Sequence, residues 1–152
     1  GSRDFLTVGG MGHASSIALG VDLVESDREV WCLDGDGALL MHLGSLAVIA
    51  ERASSRFFHV VFNNGVHDSV GGQPTAIETI DVPAVALASG YLWAERTDHL
   101  DDLPRLVSEQ RAAGGPGLLE LRVRPGSRPD LGRPTRSPAA SKDAFMEAVH
   151  HS

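Results

Sequence analysis

The chain alternates between short runs of apolar residues and longer segments in which apolar residues recur with helical spacing. The short runs have the length and composition of buried strands, and they span residues 5–8, 29–33, 57–62, 92–96 and 118–123. The helical segments span residues 13–24, 38–53, 82–90, 99–113 and 142–150. This alternation favours an α/β fold with an open, mostly parallel sheet and helices on both faces.

Several segments carry further local signals. The segment at 38–53 predicts one continuous helix, and its apolar face carries Leu39, Leu43, Leu46 and Ala50. Asp98 precedes the segment at 99–113 and is predicted to cap that helix. Residues 65–80 contain Gly and Pro and form a connection whose length is usually associated with function.

Two short motifs each follow a predicted strand. Asp34-Gly35-Asp36-Gly37 follows the strand at 29–33, and Asn63-Asn64-Gly65 follows the strand at 57–62. Asp36 and Asn64 are 28 positions apart, with the predicted helix between them. Adjacent strands of a parallel sheet end at the same edge, which is where open α/β sheets bind ligands. We therefore expect the two motifs to form one site.

The residue types at this site indicate a hard metal ion. Asp36 offers a carboxylate, Asn64 a carboxamide, and the glycines leave room for a phosphate close to the backbone. Mg²⁺ prefers oxygen ligands and usually completes its shell with substrate phosphates and water. The pattern therefore predicts Mg²⁺ bound together with a diphosphate. A helix-capping Asp and a turn Asn are the structural alternatives.

These residues resemble the diphosphate-binding domain of thiamine-diphosphate-dependent enzymes. The resemblance consists of Gly35-Asp36-Gly37, the spacing to Asn63-Asn64, and the earlier glycine turn at residues 8–12, Val-Gly-Gly-Met-Gly. It implies thiamine diphosphate and Mg²⁺ as cofactors. The implied metal ligands are the side chains of Asp36 and Asn64 and the carbonyl of Val66. The implied backbone donors to the diphosphate are Gly35, Gly37 and Ala38.

The glycine turn is implied to bind the other end of the cofactor. In the family, the carbonyl at the position of Gly9 accepts a hydrogen bond from the aminopyrimidine, and a bulky apolar residue at the position of Met11 holds the two rings in a V. That shape brings a nitrogen to the proton that must be removed, so the proton transfer gains rate from proximity. A methionine that is simply part of a core is the alternative for Met11.

A narrower resemblance is to phosphonopyruvate decarboxylases. It rests on residues 12–16 (Gly-His-Ala-Ser-Ser), residues 65–75 (Gly-Val-His-Asp-Ser-Val-Gly-Gly-Gln-Pro-Thr) and residues 131–135 (Leu-Gly-Arg-Pro-Thr). The chain is interpreted as a single diphosphate-binding domain, residues 1–152. The pyrimidine-binding domain of the family is expected on a missing N-terminal portion or on a partner chain.

The loop at 65–80 carries the candidate catalytic residues. His67 follows Asn64 closely and could assist proton delivery. Gln73 is a hydrogen-bond donor that could hold the substrate. Other candidate donors to the substrate are Ser69, Thr75, Arg133 and Arg136. Solvated surface residues are the alternative for this whole group.

The resemblance implies a lyase that converts phosphonopyruvate to phosphonoacetaldehyde and CO₂, within phosphonate or antibiotic biosynthesis. A sulfopyruvate decarboxylase subunit is the alternative of the same class, because sulfonate and phosphonate need similar donors. A non-catalytic module that binds Mg²⁺ and a diphosphate is the alternative of a different class. Both decarboxylases would need the pyrimidine-binding domain, in a homo- or hetero-oligomer.

Composition argues against several other classes of protein. The net charge of −7 is scattered over 152 residues, which argues against nonspecific nucleic-acid binding. No apolar run approaches the roughly 20 residues of a membrane span. Cys32 is the single cysteine, so no intrachain disulfide can form and a cytoplasmic location is expected. Its place in an apolar strand predicts a core residue rather than a reactive thiol.

Overall fold

The computed structural model describes residues 3–25, 27–132 and 134–150. The chain separates into two compact units. Of the described residues, those within 12–126 form the larger unit, and those within 1–11 and 127–152 form the smaller one. The sheet and the two motifs that contain Asp36 and Asn64 belong to the larger unit.

The described ranges contain strands β1 (Val30–Gly35), β2 (Phe57–Asn63), β3 (Val66–His67), β4 (Gln73–Pro74), β5 (Trp93–Thr97) and β6 (Gly117–Arg122). They contain helices α1 (Ala14–Val24), α2 (Asp36–Met41), α3 (Ser45–Arg52), α4 (Val82–Ser89), α5 (Leu103–Ala113) and α6 (Pro138–His150). None of these helices has the length and apolar character needed to cross a membrane.

Four strands form one parallel sheet in the order β1-β2-β6-β5. Gly35 of β1 lies beside Phe62 of β2, and Asn63 of β2 lies beside Arg122 of β6. The carboxyl ends of these three neighbouring strands therefore share one edge. The short strands β3 and β4 form a separate antiparallel hairpin directly after β2.

Helices cover both faces of the sheet. One face buries Phe57 and Leu118 in a core that also contains side chains of α1, α3 and α4. The opposite face buries Val60 and Leu119 against Leu106 of α5. Successive residues of β2 therefore point to opposite cores, as the pleat of a strand requires. The predicted α/β class with helices on both faces is confirmed.

The segment at 38–53 is two helices, so the prediction of one continuous helix was wrong. Between α2 and α3, the N–H of His42 donates to the Leu39 carbonyl at 3.2 Å and that of Ser45 to the His42 carbonyl at 2.8 Å. These bonds span three residues instead of four and tighten the backbone. Gly44, a poor helix former, stands immediately before α3. The apolar face persists across the break, because Leu46 is fully buried in the same core as Leu39.

Residues 5–8 are not a strand, so that prediction was also wrong. Leu6 and Val8 are 55% and 56% exposed. A strand is stabilised by its neighbours and by burial, and apolar content alone does not supply either. Phe5 instead packs against Phe145 of α6 within the smaller unit, with ring centroids 5.6 Å apart.

Asp98 does not cap α5, which begins later than predicted. A 3₁₀ turn precedes α5, and Pro104 stands in the first turn of the helix, where a missing N–H costs nothing. Thr97 supplies the local hydrogen bonds. Its hydroxyl accepts the N–H of His99 at 3.0 Å and donates to the Asp102 carboxylate at 2.8 Å. Asp98 pairs with His99 at 3.2 Å.

Candidate functional site

Asp36 is a buried carboxylate at the carboxyl edge of the sheet. It is the first residue of α2, directly after β1, and is 3% exposed. Its Oδ2 accepts a hydrogen bond from the Thr75 hydroxyl at 2.5 Å. In the described part of the chain, no cationic side chain pairs with it. A buried carboxylate without a compensating charge is unfavourable, so this position suits a bound cation.

Asn64 lies just beyond the end of β2, at the same edge. Its Nδ2 donates to Asp68 Oδ2 at 2.8 Å, and its Oδ1 accepts the N–H of Val66 at 3.1 Å. An amide oxygen has two lone pairs, so Oδ1 can still bind a metal ion. Val66 begins the hairpin, close to Asn64 in the chain. The donor set at this edge is therefore carboxylate, carboxamide and backbone carbonyl, which suits Mg²⁺.

The start of α2 leaves backbone donors available for a phosphate. The first N–H groups of a helix have no partner within it, and α2 has no side-chain cap at Gly35. A Cβ added to Gly35 meets nothing within 4 Å, so the space beside the chain is open. Gly37 is buried and Ala38 half-buried. These are the residues that were predicted to donate to the diphosphate.

Gly12 lets the chain pass unusually close to α2. Its φ is +86°, a conformation that favours glycine, and an added Cβ would lie 2.5 Å from His42 Cδ2 and 2.9 Å from the Ala38 carbonyl oxygen. The rings of His13 and His42 are 4.3 Å apart. Any larger residue at Gly12 would therefore push against the helix that begins with Asp36.

Gly9 and Met11 belong to the smaller unit. Gly9 has φ +78° and Gly10 has φ +63°, so this turn uses backbone conformations that favour glycine. Met11 is 40% exposed. Their roles toward the pyrimidine ring stay predictions.

Two arginines were predicted as candidate donors to the substrate. Arg136 is exposed and belongs to the smaller unit, and Arg133 lies outside the described residues.

The hairpin brings His67 and Gln73 together. They are directly opposite each other across the β3 and β4 ladder, so their side chains are neighbours on one face. His67 is half-buried and Gln73 is exposed. The Gln73 side chain lies against Gly71, where an added Cβ would be 3.1 Å from Gln73 Nε2. The two predicted catalytic residues thus form one polar pair on the hairpin.

A buried polar network lies next to the turn at Gly65, and the sequence pattern did not predict it. Glu120 is 0% exposed in the middle of β6. It accepts hydrogen bonds from Asn63 Nδ2 and from Arg96 Nε, both at 2.6 Å. Asn63 Oδ1 in turn accepts the N–H of Gly65 at 3.0 Å. A lone glutamate inside an apolar strand was the available signal, because such a residue must find partners when buried.

The buried Asp34 side chain supports the turn at Gly35. Asp34 Oδ1 accepts the N–H of Gly35 at 3.0 Å, and Asp34 Oδ2 lies 3.5 Å from His59 Nε2. His59 Nδ1 lies 3.2 Å from the Tyr91 hydroxyl.

Burial raises the pKa of the Cys32 thiol, which lies near Asp34, to about 12. The thiol therefore stays protonated at neutral pH and is a poor metal ligand. The prediction that Cys32 is a buried core residue is confirmed.

Comparison with known proteins identifies the family. Residues 2–121 match the family described as thiamine pyrophosphate enzyme, C-terminal TPP binding domain. The chain belongs to this family. The cofactor that the family binds, thiamine diphosphate, is the one implied by the resemblance, and the glycine and asparagine motifs lie within the matched residues.

The sequence relatives include two kinds of decarboxylase, which are named for different substrates. The chain is 47% identical to a phosphonopyruvate decarboxylase of Streptomyces viridochromogenes over 147 residues, which are 97% of this chain and 37% of that protein. It is 35% identical to the sulfopyruvate decarboxylase subunit beta of Methanothermobacter thermautotrophicus over 125 residues, 82% of this chain and 64% of that protein. The chain thus spans little more than a third of the more similar relative.

Solved structures support the fold independently. The benzoylformate decarboxylase from Polynucleobacter necessarius superimposes with a TM-score of 0.65 at 21% sequence identity. The match covers 76% of this chain and 24% of that chain. At this identity the likeness shows the architecture of the thiamine pyrophosphate enzymes, and it agrees with the parallel sheet and its covering helices.

Proposed function

We propose that the protein containing this chain decarboxylates phosphonopyruvate to phosphonoacetaldehyde and CO₂, and that this chain binds the diphosphate of its cofactor through Mg²⁺. The observation that carries the proposal is the buried Asp36 carboxylate, which has no cationic partner in the described ranges and stands at the same sheet edge as Asn64. The identity of 47% to a phosphonopyruvate decarboxylase supports the choice of substrate.

In this proposal Asp36, Asn64 and the carbonyl of Val66 hold Mg²⁺. The Thr75 hydroxyl occupies Asp36 Oδ2, which leaves Oδ1 for the metal. The open backbone at Gly35, Gly37 and Ala38 would donate to the diphosphate, where the positive end of the helix dipole adds to the attraction.

The remaining roles divide between the cofactor and the hairpin. When bound, thiamine diphosphate supplies the electron sink that allows a 2-oxo acid to lose CO₂. Gly9 and Met11 would hold its pyrimidine end. His67 would deliver a proton to the carbon that loses CO₂, and Gln73 would hold an anionic group of the substrate. Their position opposite each other on the hairpin supports a joint role.

We expect His67→Ala and Gln73→Ala to lower kcat/KM for phosphonopyruvate at least roughly tenfold, equivalent to about 1.4 kcal/mol of transition-state stabilisation. The measurement uses the assembled protein, meaning this chain together with its pyrimidine-binding domain. Affinity for thiamine diphosphate should stay near its original value, because neither side chain is proposed to contact the diphosphate. Val70→Ala, on the same hairpin and 65% exposed, is the matched control. Loss of cofactor affinity with normal saturated turnover would show that the hairpin is a cofactor clamp.

Activity is proposed to require a pyrimidine-binding domain, on the same polypeptide or on a partner subunit. Apolar side chains that remain exposed near the carboxyl edge support such an assembly, since Leu33 is 62% and Phe62 39% exposed. The name of the Methanothermobacter relative, which is a subunit beta, is also consistent with a two-chain arrangement. We further propose a cytoplasmic enzyme that acts as a homo- or hetero-oligomer.

The substrate and the need for assembly can be tested in one experiment. We expect the isolated 152-residue chain to turn over neither phosphonopyruvate nor sulfopyruvate, and the assembled protein to prefer phosphonopyruvate. Side-by-side kcat/KM values for both substrates provide the measurement. A preference for sulfopyruvate would favour the second candidate, which the 35% identity to a sulfopyruvate decarboxylase subunit supports. Cofactor binding without turnover of either substrate would favour a non-catalytic module.

A further inference from the structure

Thr75 lies at the base of the hairpin and contacts both metal-site motifs. Its hydroxyl donates to Asp36 Oδ2 at 2.5 Å, and its backbone N–H donates to the Gly65 carbonyl at 2.9 Å. Gly65 stands between Asn64 and Val66, the other two proposed ligands. One buried residue thus joins the turn after β1 to the turn after β2.

The position of Thr75 is fixed from the core side. Thr75 is 9% exposed, and Ile77, two positions later, is 1% exposed in the main hydrophobic core. The backbone that carries the Thr75 hydroxyl is therefore anchored independently of Asp36, by the buried Ile77 and by the hydrogen bond of the Thr75 N–H to the Gly65 carbonyl. A fixed donor selects one orientation of the Asp36 carboxylate and leaves the second oxygen directed elsewhere.

The second side-chain ligand is oriented in a similar way by the hairpin. Asp68 Oδ2 accepts Asn64 Nδ2 at 2.8 Å and also the N–H of Gly126 at 2.8 Å. The amide nitrogen of Asn64 is therefore occupied, and the amide oxygen, which accepts the Val66 N–H, keeps a second lone pair for a metal. Both side-chain ligands thus have their non-ligating atoms bound by residues of the segment 65–75.

From this arrangement we propose that Thr75 is a positioning residue for the metal site, and that it couples Mg²⁺ binding to ordering of the base of the hairpin that carries His67 and Gln73. The proposal rests on the proposed function, because it takes Asp36 as a Mg²⁺ ligand. Outer partners that orient metal ligands are typically worth 10–100-fold in metal affinity. Because coupling is reciprocal, Mg²⁺ that fixes Asp36 also fixes Thr75 and the base of the hairpin.

The first test compares Thr75→Val with Thr75→Ser in the assembled protein. Mg²⁺ is titrated at saturating thiamine diphosphate, and its dissociation constant is obtained by calorimetry. We expect Thr75→Val to weaken Mg²⁺ binding about 10–100-fold, and Thr75→Ser, which keeps the hydroxyl, to stay close to the original value. Thr79→Val is the matched control, since Thr79 is exposed and its hydroxyl donates to the nearby Ala76 carbonyl. Unchanged Mg²⁺ affinity in Thr75→Val, or equal loss in Thr75→Ser, would overturn the proposal.

The second test needs no substitution and therefore does not depend on a variant that folds. Hydrogen exchange of residues 65–75 is measured in the unmodified assembled protein with thiamine diphosphate, with and without Mg²⁺. We expect Mg²⁺ to slow exchange across the hairpin base, where the Thr75 N–H is bonded to the Gly65 carbonyl. Exchange that does not respond to Mg²⁺ would overturn the coupling.

The two proposals fail in distinguishable ways. If Asp36→Ala eliminates Mg²⁺ binding while Thr75→Val leaves it intact, only the role of Thr75 is wrong. If Asp36→Ala also binds Mg²⁺ and cofactor normally, the metal site itself is wrong.

Discussion

Asp36→Ala should eliminate Mg²⁺-dependent binding of thiamine diphosphate by the assembled protein. Asp36 is the only proposed ligand with a negative charge, and Mg²⁺ binds through carboxylates supplemented by neutral oxygens and phosphates. Without the Asp36 carboxylate, the Asn64 side chain and the Val66 carbonyl would be the remaining protein ligands of the ion. Calorimetry with thiamine diphosphate at saturating Mg²⁺ measures the effect. Unchanged cofactor affinity in this variant would refute the assignment.

The same variant should remain folded. Asp36 is 3% exposed, and its hydrogen-bond partner in the structure is the Thr75 hydroxyl. Removing a buried carboxylate that has no cationic partner also removes its cost of desolvation, which offsets the lost hydrogen bond. We therefore expect the thermal midpoint without cofactor to change little, while the rise in midpoint on adding Mg²⁺ and thiamine diphosphate disappears. A large drop in the midpoint without cofactor would instead show a structural role for Asp36.

The placement of Asp36 and Asn64 could be predicted because it depends on local pattern and one rule of topology. Each follows an apolar strand, and a helical connection between two strands is typical of a parallel pair. Parallel neighbours end at one edge, which is where β1 and β2 bring the two residues. The identities of the side chains then sufficed to suggest Mg²⁺.

The hydrogen bonds that orient the proposed metal ligands could not be predicted from local pattern. Thr75 and Asp36 are 39 positions apart, and their contact depends on how the hairpin folds back onto α2. In the sequence Thr75 therefore looks like any other polar loop residue, and it was predicted to donate a hydrogen bond to the substrate.

The errors in the predicted elements at residues 5–8 and 42–44 also arise from effects that local pattern does not show. Strand formation needs a pairing partner, and a helix can break where a glycine permits a tighter turn.

Glu120 shows the same limit inside the sheet. Its partners Asn63 and Arg96 are 57 and 24 positions away in the sequence. The apolar pattern of β6 predicted a buried strand correctly, but it could not show which groups satisfy the carboxylate. The network matters for the site because Asn63 Oδ1 also accepts a hydrogen bond from the N–H of Gly65. Gly65 stands between the proposed ligands Asn64 and Val66. A stabilising contact of the sheet therefore also shapes the turn that is proposed to bind the metal.

Arg96→Ala should clearly destabilise the fold. The Arg96 guanidinium donates to Glu120 at 2.6 Å, and Glu120 is fully buried. Removing one partner of a fully buried ion pair typically costs about 3–5 kcal/mol. Because the Arg96 side chain is 32% exposed, we expect a loss at or below the lower end of that range. Urea unfolding, with the free energy extrapolated to water, measures the loss.

Two further variants separate the buried charge from a general effect of losing an arginine. Arg105→Ala breaks an exposed pair with Glu109 at 2.8 Å and should change the stability far less, because water screens the two charges. Arg96→Ala combined with Glu120→Gln should recover much of the lost stability, because the glutamine is neutral and can still accept a hydrogen bond from Asn63. If the double variant is as unstable as Arg96→Ala alone, the cost comes from lost packing of the arginine stem and not from the stranded carboxylate.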